Sequence, residues 1–524
     1  MIQVEFVAPK VYNVVWEIEK YATTDKIALK WEDENGETSH LSYKELNQLV
    51  NIYAFQFLSN GLTKGDKVFV MMPRCAETYA VYLAILKIGA IIIPGSELLR
   101  EKDIEYRLNH GEVRAVVVHE QLLEGFENHS NRKEIVYFLV GDKKDQYISL
   151  EKEIYANPQV STVETSCDDV AFISYTSGTT GNPKGVVHTH SWGYSHIRIT
   201  ASTWMDITED DTVWATAGPG WQKWIWSPFL ATLASGATGF FYQGKFDANT
   251  YLALLQKHEI SVLCCTPTEY RFMAKVDHLE RYQFPYLRSA MSAGEPLNQE
   301  VIRTFQSYFG IEVRDGYGQT ENTLLIGTLK GMKSKAGSMG KPTPGNIVEV
   351  VDEDGLPVPP GIVGDIAVHK LSPSLFKGYY KDEGRTKAQT RGDYYITGDR
   401  AKKDYDGYFW FEGRSDDIII SSGYTIGPFE VEDALVKHEL VRECAVVASP
   451  HQLRGSVVKA FVVLKSKALD EDALVLELQE FVKQQTAPYK YPRIIEFVEE
   501  LPKTISGKIR RIELREIEKE RNVL

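Results

Sequence analysis

Apolar residues along this chain recur in short blocks, and polar or glycine positions punctuate them. Val170 to Ser174 is too short a run for a helix and reads as a buried strand. Lys67 to Met72 and Ala90 to Pro94 read the same way. Between them, the stretch from about Glu77 to Lys87 is helical, which is the alternation of βαβ units around a parallel sheet. Ser42-Tyr43-Lys44-Glu45 forms a capping box with Leu41 and Leu46 as a hydrophobic staple, so a helix starts there and Gly61 closes it. The alternation resumes at Thr212 to Ala217, the helix Tyr251 to His258, and the strands Ser261 to Cys265 and Ser289 to Ala293. After Gly345 the texture changes to short β-rich runs, Ile347 to Val351 and Asp365 to His369, broken by Pro357 to Gly361, and this predicts a small β subdomain. A charged turn, Gly413 to Asp417, precedes a strand at Ile418 to Ser421 and a helix at Glu430 to Lys437. The expected division is a body over 1–415 and a compact α+β domain over 416–524.

Composition narrows the classes. A chain of 524 residues exceeds one ordinary domain, and 43% hydrophobic with 25% charged residues is a globular balance. The net charge of -13 argues against nucleic acid as the main partner. Five cysteines without a Cys-x-x-Cys pair point to reduced thiols and a cytoplasmic setting. No signal peptide is expected, because the first residues lack a basic region followed by an apolar core. The longest apolar stretch, Tyr79 to Pro94, carries Lys87 and Gly89 and reads as a helix entering a strand; no membrane span is expected.

The chemistry concentrates in Tyr175-Thr176-Ser177-Gly178-Thr179-Thr180-Gly181-Asn182-Pro183-Lys184-Gly185. Glycines let the backbone approach a ligand, hydroxyls and amides donate hydrogen bonds, and Lys184 adds a cation, so the stretch suits a polyphosphate. It is not a Walker A motif, since Pro183 precedes Lys184 and Gly185 follows it. The stretch resembles the phosphate-binding loop of the adenylate-forming superfamily, which includes acyl-CoA synthetases, firefly luciferases and adenylation domains of peptide synthetases. Further motifs extend that resemblance over nearly the whole chain and toward the medium-chain acyl-CoA synthetases.

The resemblance implies a fold and a role for each matching residue. The implied fold is a large αβ body with two parallel-type sheets and a β subdomain, followed by a small mobile C-terminal domain. In the implied site, Gly294, Glu295 and Pro296 face adenine, Asp315 to Gln319 complete the nucleotide site with Tyr317 stacked on the base, Thr320 meets the α-phosphate, and Glu321 holds Mg2+. By the same resemblance Asp399 accepts both ribose hydroxyls, Arg414 is the second ribose contact, and Asp416 is the hinge. Lys508, in Leu501-Pro502-Lys503-Thr504-Ile505-Ser506-Gly507-Lys508, matches the catalytic lysine. Its cation would offset the charge of the carboxylate and α-phosphate as they meet. Ser422, Gly423 and Tyr424 match the lining of the pantetheine tunnel, and Arg454, Tyr491 and Arg493 match the CoA-binding region.

The acyl pocket is expected around Trp221 and Gly318. Acetyl-CoA synthetases place tryptophan where Gly318 stands, so glycine implies an open floor. Each buried methylene contributes about 0.8 kcal/mol, and four extra carbons about 3 kcal/mol, roughly a hundredfold in preference. Trp221, Trp224 and Trp226 are the candidates for the pocket lining, and at least two of the three are expected to pack between helix and sheet instead. One departure stands out: the branch usually has arginine on the nucleotide phosphate where this chain has Thr425. Losing a charge-assisted hydrogen bond of about 1.5 to 3 kcal/mol would slow adenylation by one to two decades. The expected activity is an acyl-CoA synthetase using a carboxylic acid, ATP and CoA. The alternatives are an aryl-acid ligase, an enzyme acylating a carrier-protein thiol, and a binder of little turnover that keeps the fold.

Overall fold

The computed structural model describes residues 5–126, 134–150, 158–176, 182–295, 297, 299–421, 424–451, 455–466, 470–503 and 509–521. The chain folds as two compact units. The first comprises Met1–Ser334, Gly340–Ile347 and His369–Asp393, and the second Lys335–Met339, Val348–Val368 and Tyr394–Leu524. The β subdomain therefore groups with the C-terminal residues, and the boundary expected at Asp416 falls inside the second unit.

The first unit contains two mixed sheets. In the eight-stranded sheet, Val170–Thr176, Ile91–Gly95, Lys67–Met71, Ala115–His119, Val136–Val140 and Ile148–Ser149 run parallel in that order. Lys184–Thr189 and then Gly378–Tyr379 close its other edge in antiparallel fashion. The nine-stranded sheet is parallel from Val313–Gly318 through Ser289–Ala293, Val262–Cys265, Thr212–Ala215 and Thr238–Tyr242 to Ile27–Glu32, with antiparallel strands at both edges. Covered parallel strands are buried on both faces, which is why they read as continuous apolar runs.

Local signals explain the helices. The Ser42 hydroxyl accepts from the Glu45 N–H at 3.2 Å and the Glu45 carboxylate accepts from the Ser42 N–H at 2.7 Å, so Tyr43–Ser59 starts with both orphan donors satisfied. That helix buries Leu46, Val50, Tyr53, Ala54 and Phe57, one stripe at helical spacing, whereas Ala76–Lys87 is buried nearly all round. Two segments adopt the wider π form, Ile197–Met205 and Ile225–Ala231, the second holding Pro228. A proline cannot donate to the helical ladder, and widening is one way to accommodate it. Among the described residues no helix is long and apolar enough to cross a membrane.

The second unit holds a sheet of Val348–Val351, Val363–His369, Tyr394–Lys403 and Phe409–Arg414, in which the first two and the last two strands pair antiparallel. A further sheet joins Tyr424–Ile426, Ile419–Ser421, Gly455–Leu464, Val441–His451 and Ile494–Phe497. Helices Pro428–Leu435 and Glu471–Gln485 bury Val431, Leu435, Leu474, Leu478 and Val482 in the core of this α+β part.

Candidate active site

Strands Val170–Thr176 and Lys184–Thr189 pair antiparallel with Thr176 opposite Lys184, so residues 177–183 connect a hairpin. The strand Lys184–Thr189 leads directly into a helix that begins at His190. Ser177, Gly178, Thr179, Thr180 and Gly181 lie outside the described residues. At the base of the hairpin the Thr176 hydroxyl is buried, with no hydrogen-bond partner among the described residues. Opposite it, Lys184 reaches the second motif.

Its ammonium lies 2.7 Å from Glu321 Oε1 and donates to the Tyr379 hydroxyl at 2.8 Å, with the Tyr379 ring centroid 4.5 Å away. Tyr379 Oη is in turn 2.9 Å from Glu321 Oε1 and 2.5 Å from Gln389 Oε1. A phenol has one proton, so Tyr379 donates to only one of these acceptors at a time. The contact joins the eight-stranded sheet to the end of the nine-stranded one. Sequence reasoning missed Tyr379 and Gln389, because a two-residue strand, Gly378–Tyr379, leaves no periodic signal.

Glu321 sits on a turn after Val313–Gly318. The Asn322 side chain accepts from the Gln319 N–H at 2.8 Å, and the Asn322 N–H closes onto the Gln319 carbonyl at 3.1 Å. Three rings brace this turn from below. His188 Nε2 lies 2.7 Å from the Thr320 carbonyl, Trp192 donates to the Asn322 carbonyl at 3.1 Å, and His196 Nδ1 lies 2.5 Å from the Thr323 hydroxyl. Burial holds both His188 and His196 down to about 3, so the turn carrying Thr320 and Glu321 rests on neutral imidazoles.

Parallel pairing of Ala293 with Gly316 brings Gly294 and Glu295 to the same sheet end as Tyr317 to Glu321. Ligands of open α/β sheets bind at such carboxyl ends. Gly294 has a φ of 109°, open to glycine, and Glu295 is tied to Arg271 at 3.1 Å; Pro296 lies outside the described residues. Burial pushes the Asp315 carboxyl up to about 7, against the opposing N–H groups of Gly316 and Leu297.

Gly316 and Gly318 are glycines for steric reasons. A Cβ on Gly316 would lie 2.5 Å from the Trp204 ring, and one on Gly318 would lie 2.1 Å from the Thr323 carbonyl oxygen and 3.2 Å from the Trp226 ring. The missing side chain at Gly318 therefore does not leave an open floor, because a backbone carbonyl and the Trp226 indole occupy that space. Trp221 is 38% exposed, while Trp224 is buried and stacks on Phe229 at 5.3 Å. Of the three tryptophans, Trp226 is the one beside Gly318.

In the second unit, Asp399 and Arg414 are register partners on adjacent antiparallel strands, so residues fifteen apart in sequence become cross-strand neighbours. The Asp399 residue is buried and Arg414 reaches Asp416 at 3.3 Å. Asp416 also lies 3.3 Å from Arg515, which pairs with Asp417 as well. Arg515 belongs to the helix Arg511–Arg521, and Lys503 bridges Ile509 just before it while the Arg510 N–H bonds the Pro502 carbonyl at 2.8 Å. These contacts bring together the described residues on either side of 504–508. Lys508 itself lies outside the described residues, as do Ser422, Gly423 and Arg454. Tyr424 and Thr425 form a strand with Ile419–Ser421, described in backbone only. Arg493 donates to the Tyr491 hydroxyl at 2.8 Å and covers its ring at 4.9 Å.

Comparison with known proteins covers both parts of the chain. The family model described as AMP-binding enzyme matches residues 16–380, and that for the AMP-binding enzyme C-terminal domain matches 430–508. The chain is 58% identical over 517 residues to the uncharacterized acyl-CoA ligase YtcI of Bacillus subtilis (strain 168), covering 98% of each. It is 42% identical over 503 residues to the mitochondrial acyl-coenzyme A synthetase ACSM3 of Mus musculus, covering 94% of this chain and 86% of that protein. Among solved structures, the anthranilate CoA ligase AuaEII in complex with anthranoyl-AMP superposes with a TM-score of 0.90 at 28% identity over 99% of each chain.

Proposed function

The chain belongs to the AMP-binding enzyme family, and from that premise we propose that it is an AMP-forming acyl-CoA synthetase of medium-chain or branched short-chain acids. An oxygen of the acid's carboxylate attacks the α-phosphorus of ATP and pyrophosphate leaves. The CoA thiol, losing its proton, then attacks the acyl carbonyl and AMP leaves. No protein nucleophile takes part.

The observation that carries the reading is the Lys184, Glu321 and Tyr379 contact, which joins the glycine-rich hairpin to the turn bearing Thr320. Glu321 is a hard oxygen donor on a buried turn and fits Mg2+, which takes one or two carboxylates and completes its shell with phosphate oxygens and water. When bound, that ion supplies charge neutralisation on the phosphates. Lys184 contributes a second cation at the same place, and Thr320 a hydroxyl for the α-phosphate. Asp399 and Arg414 take the ribose, Asp416 is the hinge between the half-reactions, and Lys508 stabilises the adenylation transition state. Ser422 to Tyr424, Arg454, Tyr491 and Arg493 receive CoA. An aryl acid is the second reading, favoured by the rings of Trp204 and Trp226 against Gly316 and Gly318.

The test is pyrophosphate release with MgATP and CoA across straight, branched and aromatic acids, with Lys508→Ala alongside. A peak at medium-chain or branched acids that the variant abolishes, and thioester formation only when CoA is present, is the expected result. Pyrophosphate release that Lys508→Ala leaves intact would remove Lys508 from the mechanism, and a panel silent throughout would overturn the ligase reading.

A further inference from the structure

Lys223 lies on the one-turn helix Gln222–Trp224, which runs directly into the π segment Ile225–Ala231. Its ammonium nitrogen is buried, and no hydrogen-bond acceptor of the described residues reaches it. It sits 5.0 Å from the ring centroid of Trp204 and 5.6 Å from that of Trp226. Those are the two rings packed against Gly316 and Gly318, so the ammonium stands behind the motif that carries the nucleotide and acyl site.

It is not the only orphan there. The indole N–H of Trp226 and the side-chain amide nitrogen of Gln222 are also buried with no acceptor among the described residues, although the Gln222 amide oxygen accepts from Ser174. Lys223 and Trp226 are three positions apart and Gln222 and Trp226 four, the spacings that share a helical face. All three unsatisfied groups are donors. Burying a polar group without a partner is costly and burying a charge more so, and natural proteins leave few such groups without a reason. The two indole faces take up part of the charge but offer no lone pair along an N–H direction. The titratable neighbour His196 bonds to the Trp226 carbonyl at 2.9 Å and is held neutral by burial, so it adds no second positive charge beside the ammonium.

We infer that Lys223 is a specificity-determining residue of the acyl site, and that the preferred acid carries a second oxygen-bearing group, a hydroxyl or a carboxylate, at the end remote from the carboxylate that reacts. The lone pairs of that group are what the Lys223 ammonium and the Trp226 N–H lack. The inference rests on the synthetase reading and narrows its substrate class from plain alkyl acids to bifunctional ones.

The experiment pairs acids of equal length. Pyrophosphate release and acid-induced quenching of tryptophan fluorescence are measured for hexanoate, 6-hydroxyhexanoate and adipate, and for butyrate, 4-hydroxybutyrate and succinate. The native chain is compared with Lys223→Met and Lys223→Gln. The native chain is expected to favour an oxygenated acid over its alkyl partner by about tenfold or more, the scale of a hydrogen bond to a charged group. Lys223→Met is expected to reverse that order and to raise kcat/KM for hexanoate, with a melting temperature no lower than the native one. Lys223→Gln, which keeps donors but not the charge, is expected to retain a hydroxy acid and lose a dicarboxylate, separating the two groups. A native preference for alkyl acids, or an equal loss for both members of each pair in Lys223→Gln, would overturn the inference while leaving the synthetase reading in place. Absence of release and of quenching with every acid would overturn both.

Discussion

Two lysines with buried ammonium groups, Lys459 in the second unit and Lys223 in the first, sit in opposite electrostatic settings. The Lys459 ammonium lies 2.6 Å from Glu518 and 2.7 Å from Glu496, with the Phe461 ring 4.7 Å away, and Glu518 also accepts from Ser449 at 2.7 Å. The network continues along the helix Arg511–Arg521, where Arg511 grips Glu432 and Arg515 grips Asp416 and Asp417. Lys223 has aromatic faces and, among the described residues, no carboxylate. A charge saturated by fixed partners holds one piece of the fold against another. A charge left unsaturated beside a ligand-facing motif keeps its interaction energy available for something that arrives later.

Removing the saturated lysine should have the largest effect. Lys459→Met takes from the buried Glu518 carboxylate its nearest cation, leaving it Ser449 at 2.7 Å and Arg521 at 3.5 Å, and losing one partner of a buried pair costs about 3 to 5 kcal/mol. Urea denaturation followed by circular dichroism is expected to show that loss; a change below about 1 kcal/mol would mean the network is not structural. Lys184→Met, in the first unit, tests a lysine whose carboxylate partner, Glu321, stands at the candidate site. It should cut the rate of pyrophosphate release by about ten- to a hundredfold, the range of one charge-assisted hydrogen bond, and, because the Tyr379 hydroxyl still reaches Glu321 at 2.9 Å, cost less stability than Lys459→Met. A stability loss as large as that of Lys459→Met would erase the distinction.

A third effect concerns pH, and its sign differs between the units. Asp315 ionises near 7 in the folded chain, well above the ordinary aspartate value of 3.8. Between those values the folded chain holds a proton that the unfolded chain has released. Its stability therefore falls as pH rises from about 4 through 7 and levels off above. Burial raises Glu496 too, but Arg521 and Lys459 outweigh it and hold this carboxyl below its usual range. Its contribution is present above the unfolded value and lost as pH falls. Asp315→Asn should flatten the decline between about pH 5 and 7 in thermal melts. A variant that declines as the native chain does would show that Asp315 is not the group responsible.

Much of the fold is legible in the order of residues, for a physical reason. Lys67–Met71 and the start of Val170–Thr176 carry their own evidence, because a parallel strand covered on both faces reads as an apolar run and ends where polar groups begin. The capping box at Ser42 is likewise a local hydrogen-bond pattern written in four consecutive residues. The strand Lys184–Thr189 escapes such a reading because the motif containing Lys184 looks like a loop, and pairing with Val170–Thr176 is what makes it a strand. The open floor expected at Gly318 fails for a related reason. Removing a side chain makes space only if nothing else moves in, and the Thr323 carbonyl and Trp226 do.

The alternation of strands and helices, the family, and the residue types that chemistry on a carboxylate and ATP requires are therefore properties of the chain's residue order, since each is set by neighbours within one or two turns. Only the tertiary structure decided that Tyr379 meets Lys184 across 195 positions, that Asp399 faces Arg414, and that the Lys223 ammonium is buried with no acceptor among the described residues. Those facts depend on which strands pair and which side chains reach one another across the core, and no local pattern encodes the absence of a partner.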